Sequence, residues 1–204
     1  MLTDLSKFVL AETVLRFKGG ERIFTRNRFP SSLFYVVIEG LVMLSRDCGK
    51  LPYIVGWFGP GRAIGFESGS QFTATAVDEC MVLALSRHNP GSWCVTLLDT
   101  TAFFSGLSEQ LAETVSEIAA RNAELLSLEI PARIKLAIQR ISRIRGLAEF
   151  DGEWIRINLL HAELGAFAGV SRESTSLCLS KLRRAGRVKT SHGSFMARRS
   201  WIDS

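Results

Sequence analysis

The sequence predicts an α+β chain in three parts: an N-terminal antiparallel β-barrel, a long helix, and a C-terminal winged helix-turn-helix. Three observations carry that prediction. Turn signals recur every eight to twelve residues over the first hundred positions, a heptad-like apolar row follows, and two short amphipathic helices joined by a glycine turn lie near the end.

The barrel is read from short β-rich runs at Arg22–Thr25, Leu33–Ile38, Leu41–Ser45, Tyr53–Phe58, Phe72–Val77 and Met81–Leu85. Between them lie Lys18-Gly19-Gly20, Phe29-Pro30-Ser31-Ser32, Glu39-Gly40, Asp47-Cys48-Gly49-Lys50 and Gly59-Pro60-Gly61. Regular punctuation of this kind describes an antiparallel barrel or sandwich.

From about Asn89 the pattern turns helical. Phe104, Leu107, Leu111, Thr114, Ile118, Arg121, Leu125 and Leu128 fall at alternating steps of three and four, the spacing of a coiled-coil seam. At a rise of about 1.5 Å per residue the helix would be roughly 37 Å long, more than one small barrel can cover. The seam therefore predicts a homodimer, with packing on the chain's own barrel as the alternative. Pro131 suits the first turn of a new helix. Beyond it Ile134, Ile138 and Ile141 share one face among Arg133, Lys135, Arg140, Arg143 and Arg145, and Gly146 is expected to end the run. The expected domains are 1–103, 104–130 and 131–204.

Leu159–Gly186 reads LLHAELGAFAGVSRESTSLCLSKLRRAG. The first helix should bury Leu160, Leu164, Phe167 and Ala168; the second should bury Thr175, Cys178, Leu179 and Leu182. Gly169 supplies the left-handed turn residue, Ser171 the N-cap, and Gly165 and Ala168 a close helix approach. In the first turn of the second helix Arg172 can donate two bonds to guanine and Glu173 can accept from cytosine. Ser176, Leu177 and Ser180 share their face. An exposed Leu177 is explained by a thymine methyl or by packing on a neighbouring loop. Ser171, Ser180, Lys181, Arg184, Arg187 and Lys189, with Arg183 beside them, are placed for phosphates. Arg187–Thr190 and Phe195–Arg198 bracket Ser191-His192-Gly193-Ser194 as a hairpin wing, with His192 in its turn.

Charge agrees with this reading. Residues 1–130 hold 11 Lys and Arg against 14 Asp and Glu, whereas residues 131–204 hold 14 against 6, and 11 of those 14 are arginine. Arginine is the side chain best matched to phosphate, so the excess points to double-stranded DNA as partner. No apolar run reaches the length needed to span a bilayer, and Asp4 and Glu12 interrupt the first residues where a secretory signal would be apolar. A cytoplasmic protein without a membrane partner is expected. Cys48, Cys80, Cys94 and Cys178 follow neither disulfide nor metal-ligand spacing. No nucleophile elbow or phosphate loop is present, and Gly59-Pro60-Gly61 lacks a following Lys-Ser/Thr, so catalysis is not expected.

The order of these parts, with KGGERIF (Lys18 to Phe24), YVVIEGLVML (Tyr35 to Leu44), GPGRAIG (Gly59 to Gly65) and GVSREST (Gly169 to Thr175), resembles the CRP/FNR family of bacterial transcription regulators. GVSREST is the most specific piece, and Arg172 and Glu173 match the family's base-reading pair. A further arginine one turn on is replaced here by Leu177. The resemblance implies a cyclic-nucleotide-binding-like jelly roll for the barrel. It also implies sequence-specific DNA binding as a homodimer, and RNA polymerase as a further partner.

Control by cyclic AMP does not carry over. That pocket needs a Gly-Glu pair and an Arg-Ser pair, and here Gly65-Phe66-Glu67-Ser68-Gly69-Ser70-Gln71-Phe72 displaces the glutamate, with no arginine between Arg62 and Arg87. A buried phosphate without its partner would be costly. The adenine-binding Thr-Ser pair is replaced by Ile118-Ala119. An iron-sulfur cluster would need N-terminal cysteines and none precedes Cys48; a lone His88 is weak support for haem. No cofactor is expected. Phe58, Ile64, Phe66, Phe72 and Ile118 remain as a candidate apolar effector pocket that is open or simply filled. The competing function is a ligand-sensing module acting on a protein partner, for which an Arg172-Glu173 pair at a helix start would have no use.

Overall fold

The structure is a computed structural model describing residues 14–25, 33–49, 52–65, 72–86, 99–144, 146–191 and 194–204. Two compact units form, one from the described residues of 1–47 and 55–119, the other from 48–54 and 120–204.

In the first unit the strands are β1 (Val14–Phe17), β2 (Arg22–Phe24), β3 (Leu33–Glu39), β4 (Val42–Asp47), β5 (Pro52–Phe58), β6 (Ala63–Ile64), β7 (Phe72–Ala76) and β8 (Cys80–Ser86). Residues Pro52–Ile54 of β5 belong to the second unit. The strands make two four-stranded sheets, ordered β1-β8-β3-β6 and β2-β7-β4-β5. The expected barrel is thus a pair of sheets sharing a core, and no closed barrel forms among the described residues. Tyr35, Val37, Val42, Leu44, Ala74 and Val82 meet in the layer between the sheets. The opposite faces of β3 and β8 bury Phe34, Val36, Leu83 and Leu85. Both central strands are covered on two sides, which is why they read as continuous apolar runs rather than alternating ones. The turn after β3 requires glycine: Gly40 has φ +81°, and a Cβ there would collide with Cys80 and the Glu79 carbonyl.

The long helix, α1, spans Thr100–Ser127. Phe103 and Leu107 complete the outer layer against β3 and β8. One turn on, buried Gln110 donates from Nε2 to Gly61 O at 2.7 Å and accepts from Ala63 N at 3.1 Å. Arg62 pairs with Glu113 at 2.8 Å and donates to Thr114 Oγ1 at 3.4 Å.

These contacts bear on the positions of the predicted seam. Leu107 lies in the core of the first unit, and Thr114 is held by Arg62 of that unit. Arg121, in the second unit, is 7% exposed; it donates to Ile54 O and Phe167 O and stacks on the rings of Tyr53 and Phe167. The open apolar row instead runs through Phe104, Leu111 and Val115, with Ile118 half-buried, and Leu126 is 91% exposed. Leu125 and Leu128 are half-buried.

The residues of the candidate effector pocket are placed as follows. Phe58 and Ile64 are core residues between the sheets, with Phe72 packed against them, while Ile118 is not part of that cluster. Phe66 lies outside the described residues, as do His88, Cys94 and His192.

After the end of α1 the second unit continues with α2 (Ile130–Ile141), which carries Pro131 in its first turn and buries Ile134, Ala137, Ile138 and Ile141. It ends at Ser142, short of the expected Gly146, which sits at φ +91° in the turn beyond. Next come β9 (Ala148–Asp151), β10 (Trp154–Ile157), α3 (His161–Ala168), α4 (Arg172–Arg184), β11 (Val188–Ser191), β12 (Ser194–Arg198) and the short α5 (Arg199–Ile202). Here the expected two-stranded wing is half of a four-stranded sheet, ordered β11-β12-β10-β9.

Candidate nucleic-acid interface

α3 and α4 are joined by three residues, and each end of the connection has an identifiable cause. Gly169 caps α3 at φ 64°, ψ 39°, where a side chain would also collide with Leu125. Arg133 Nη1 donates to the Gly169 carbonyl at 3.2 Å. Ser171 caps α4, its hydroxyl accepting from Ser174 N at 3.1 Å, while Thr175 Oγ1 donates back to Ser171 O at 2.8 Å. At the start of α3 the Glu163 carboxylate accepts the Leu160 amide at 2.8 Å. The helices cross closely at Gly165, whose added Cβ would stand 2.6 Å from Val170 O and 2.7 Å from Thr175 Oγ1.

α4 buries Thr175, Cys178, Leu179 and Leu182, the four positions its apolar period predicts. In α3, Leu164, Phe167 and Ala168 are buried as expected, whereas Leu160 is 56% exposed because it is the N-cap and lies outside the helical stripe.

The remaining face of α4 is open. Arg172 and Glu173 project from its first turn, both exposed, with Ser176 and Ser180 half-buried beside exposed Leu177. Lys181, Arg183 and Arg184 fill the last turn, and Arg187 and Lys189 continue the basic run along the start of β11, all exposed. Two sequence-predicted phosphate contacts have other engagements. The Ser171 hydroxyl is committed to its own helix, accepting from Ser174 N and donating to Ser174 Oγ at 3.1 Å. Lys189 Nζ sits 4.1 Å from the centre of the Trp154 ring, with Arg198 5.3 Å from the same ring.

His161 was not among the predicted site residues. Its Nδ1 lies 3.1 Å from Ser176 Oγ on the open face of α4. Burial and, next, the positive charge of Arg172 push its pKa below the ordinary histidine value, favouring the neutral ring. Fifteen residues separate His161 from Ser176, so only the helix-turn-helix itself brings the pair together.

A tightly crossed helix pair, an open basic face and a flanking sheet define a winged helix-turn-helix protein. Residues 125–197 match the family of Crp-like helix-turn-helix domains, so this part of the chain is a Crp-like domain. The chain as a whole has the fold of CRP/FNR regulators. A CRP/FNR-family transcriptional regulator from Thermus thermophilus, TTHA1359, superposes at TM-score 0.75 with 21% identity, over 94% of this chain and 98% of that one. A second from the same organism, TTHB099, gives 0.76 with 23% identity, over 93% and 94%. The c-di-GMP-responsive global regulator CLP of Xanthomonas campestris gives 0.78 with 18% identity, over 91% and 93%. No curated protein matches the chain in sequence.

Proposed function

We propose that the protein is a homodimeric, sequence-specific DNA-binding transcription regulator that acts without cyclic AMP. The observation that carries this reading is the open face of α4, where Arg172 and Glu173 stand free in the first turn above a buried apolar stripe. A helix so presented enters the major groove, with first-turn side chains on base edges and Lys181, Arg184 and Arg187 on phosphates. The outward row Phe104, Leu111 and Val115 on α1 supplies apolar surface for a second copy. A dimer sets two α4 helices against successive major grooves, about 34 Å apart.

Independence from cyclic AMP is supported by Arg62. This arginine, three residues before Gly65 in the sequence, is paired with Glu113. Phe58 and Ile64 occupy the space between the sheets. Soluble cytoplasmic placement fits a DNA partner, and among the described residues no helix is long and apolar enough to cross a membrane.

The test is selection from random duplexes followed by affinity measurement on the selected site and on unrelated DNA. Arg172→Ala should cost about 1–3 kcal/mol of discrimination, whereas Arg184→Ala should weaken both duplexes alike. Equal losses for both variants on both duplexes would refute the assignment. Sedimentation of the free protein as a monomer at binding concentrations would refute the dimer.

A further inference from the structure

We propose that Leu177 reads the C5-methyl group of a pyrimidine, so that each half of the operator carries a thymine at one fixed position. The inference rests on the DNA-reading role of α4 and specifies what its middle turn recognises.

Leu177 is 58% exposed, while Leu179 and Leu182 of the same helix are buried. No described loop covers it, which favours a base contact over packing. It follows Glu173 by four residues and precedes Ser180 and Arg184 by three and seven, so it lies in the row that faces outward from the first turn to the last. It also borders an open, mainly apolar groove of about 470 Å³ shared with Glu129, Ile130, Pro131, Arg133 and Lys181.

A leucine has no donor or acceptor and cannot distinguish bases by hydrogen bonds. In the major groove only thymine among the four bases offers an apolar group; cytosine presents an amino donor there, and the purines present polar atoms that leucine would strip of water. The side chain therefore selects the methyl group rather than the base that bears it. It follows that 5-methylcytosine, which places a methyl group at the same edge, is preferred over cytosine at that position.

The experiment uses the full-length protein and its selected duplex, with the thymines of one half-site replaced singly by deoxyuridine, which removes only the methyl. One position should lose about fourfold in affinity, the value of burying one methyl-sized group. In Leu177→Ala that loss should vanish; because the side chain is exposed, the variant keeps its fold. Replacing the same base pair by 5-methylcytosine–guanine should bind more tightly than cytosine–guanine. Deoxyuridine tolerated at every thymine, a loss that persists in Leu177→Ala, or equal binding of the methylated and plain cytosine sites would each overturn the inference while leaving DNA reading by Arg172 intact. Failure to enrich any sequence would sink both.

Discussion

Replacing Gly165 by alanine tests whether the helix crossing is as tight as the structure places it. The new Cβ would stand 2.6 Å from the backbone oxygen of Val170 and 2.7 Å from Thr175 Oγ1. Neither neighbour can swing aside: the first is main chain, and the second is fully buried and hydrogen-bonded to Ser171 O. To reach normal contact α3 and α4 must part by roughly 0.6 Å, a gap that forfeits about a quarter of the dispersion energy at the crossing. Overpacking of this kind costs about 1–3 kcal/mol, and straining the Thr175 bond adds about 1 kcal/mol. Alanine returns about 1 kcal/mol through its better helix propensity. The net expectation is a destabilisation of about 1–3 kcal/mol, read from amide exchange in residues 161–184. Because α4 is displaced, affinity should fall more on the selected duplex than on random DNA. Gly186→Ala is the control: at φ +68° with no atom within 4 Å it carries only the backbone penalty, about 1 kcal/mol. A Gly165→Ala protein as stable as the parent, or more so, would refute the tight crossing.

Two further outcomes follow from buried or partly buried groups. Arg121→Met keeps most of the side-chain volume but deletes hydrogen bonds of 2.9 and 2.6 Å to Ile54 O and Phe167 O, together with stacking on Phe167. Relief of the buried charge offsets part of the loss, so thermal melting should report a destabilisation of about 2 kcal/mol or more, and unchanged melting would contradict the role given to this residue. For His161 the folded protein holds the pKa below its ordinary value. On acidification the unfolded chain therefore takes up the proton first, and stability falls as pH drops through the ordinary histidine range towards the lowered folded value. His161→Gln should flatten that part of the melting-temperature profile; an identical slope in parent and variant would count against burial as the cause.

The helix-turn-helix was legible because its signals are local. Gly169 and Ser171 perform chemistry that only a few residue types supply, and the buried set of α4 follows from a single period. The six predicted strands of the first unit were legible from their turns. β1 and β6 were not, since β1 is four residues long with Arg16 inside it and β6 has two residues. β9 and β10 were missed for a different reason. Ile155 and Ile157 alternate as a strand should, but Glu149, Asp151 and Glu153 crowd the hairpin with charge, and Phe150 is exposed at 65%.

The phase of α1 shows a deeper limit. Phe104, Leu107 and Leu111 belong to one row by spacing, and periodicity does not say which edge of a wide stripe the chain's own sheet takes. Here Phe103 and Leu107 turn to that sheet, and the row left open shifts around the helix. Leu160 fails similarly: one residue beyond the end of a helix, its place in the repeat no longer determines its burial.

Strand β10 precedes the helix-turn-helix and β12 follows it, and the two pair from Trp154–Arg198 to Ile157–Phe195. The recognition segment is thus an excursion between two neighbouring rungs of one ladder, tied at both ends. During synthesis that ladder stays open until Phe195–Arg198 have emerged. A chain cut short just after α4 would contain every base-facing side chain and yet lack the scaffold that holds them in line, so messages truncated between the codons for α4 and β12 should yield protein that neither binds nor interferes.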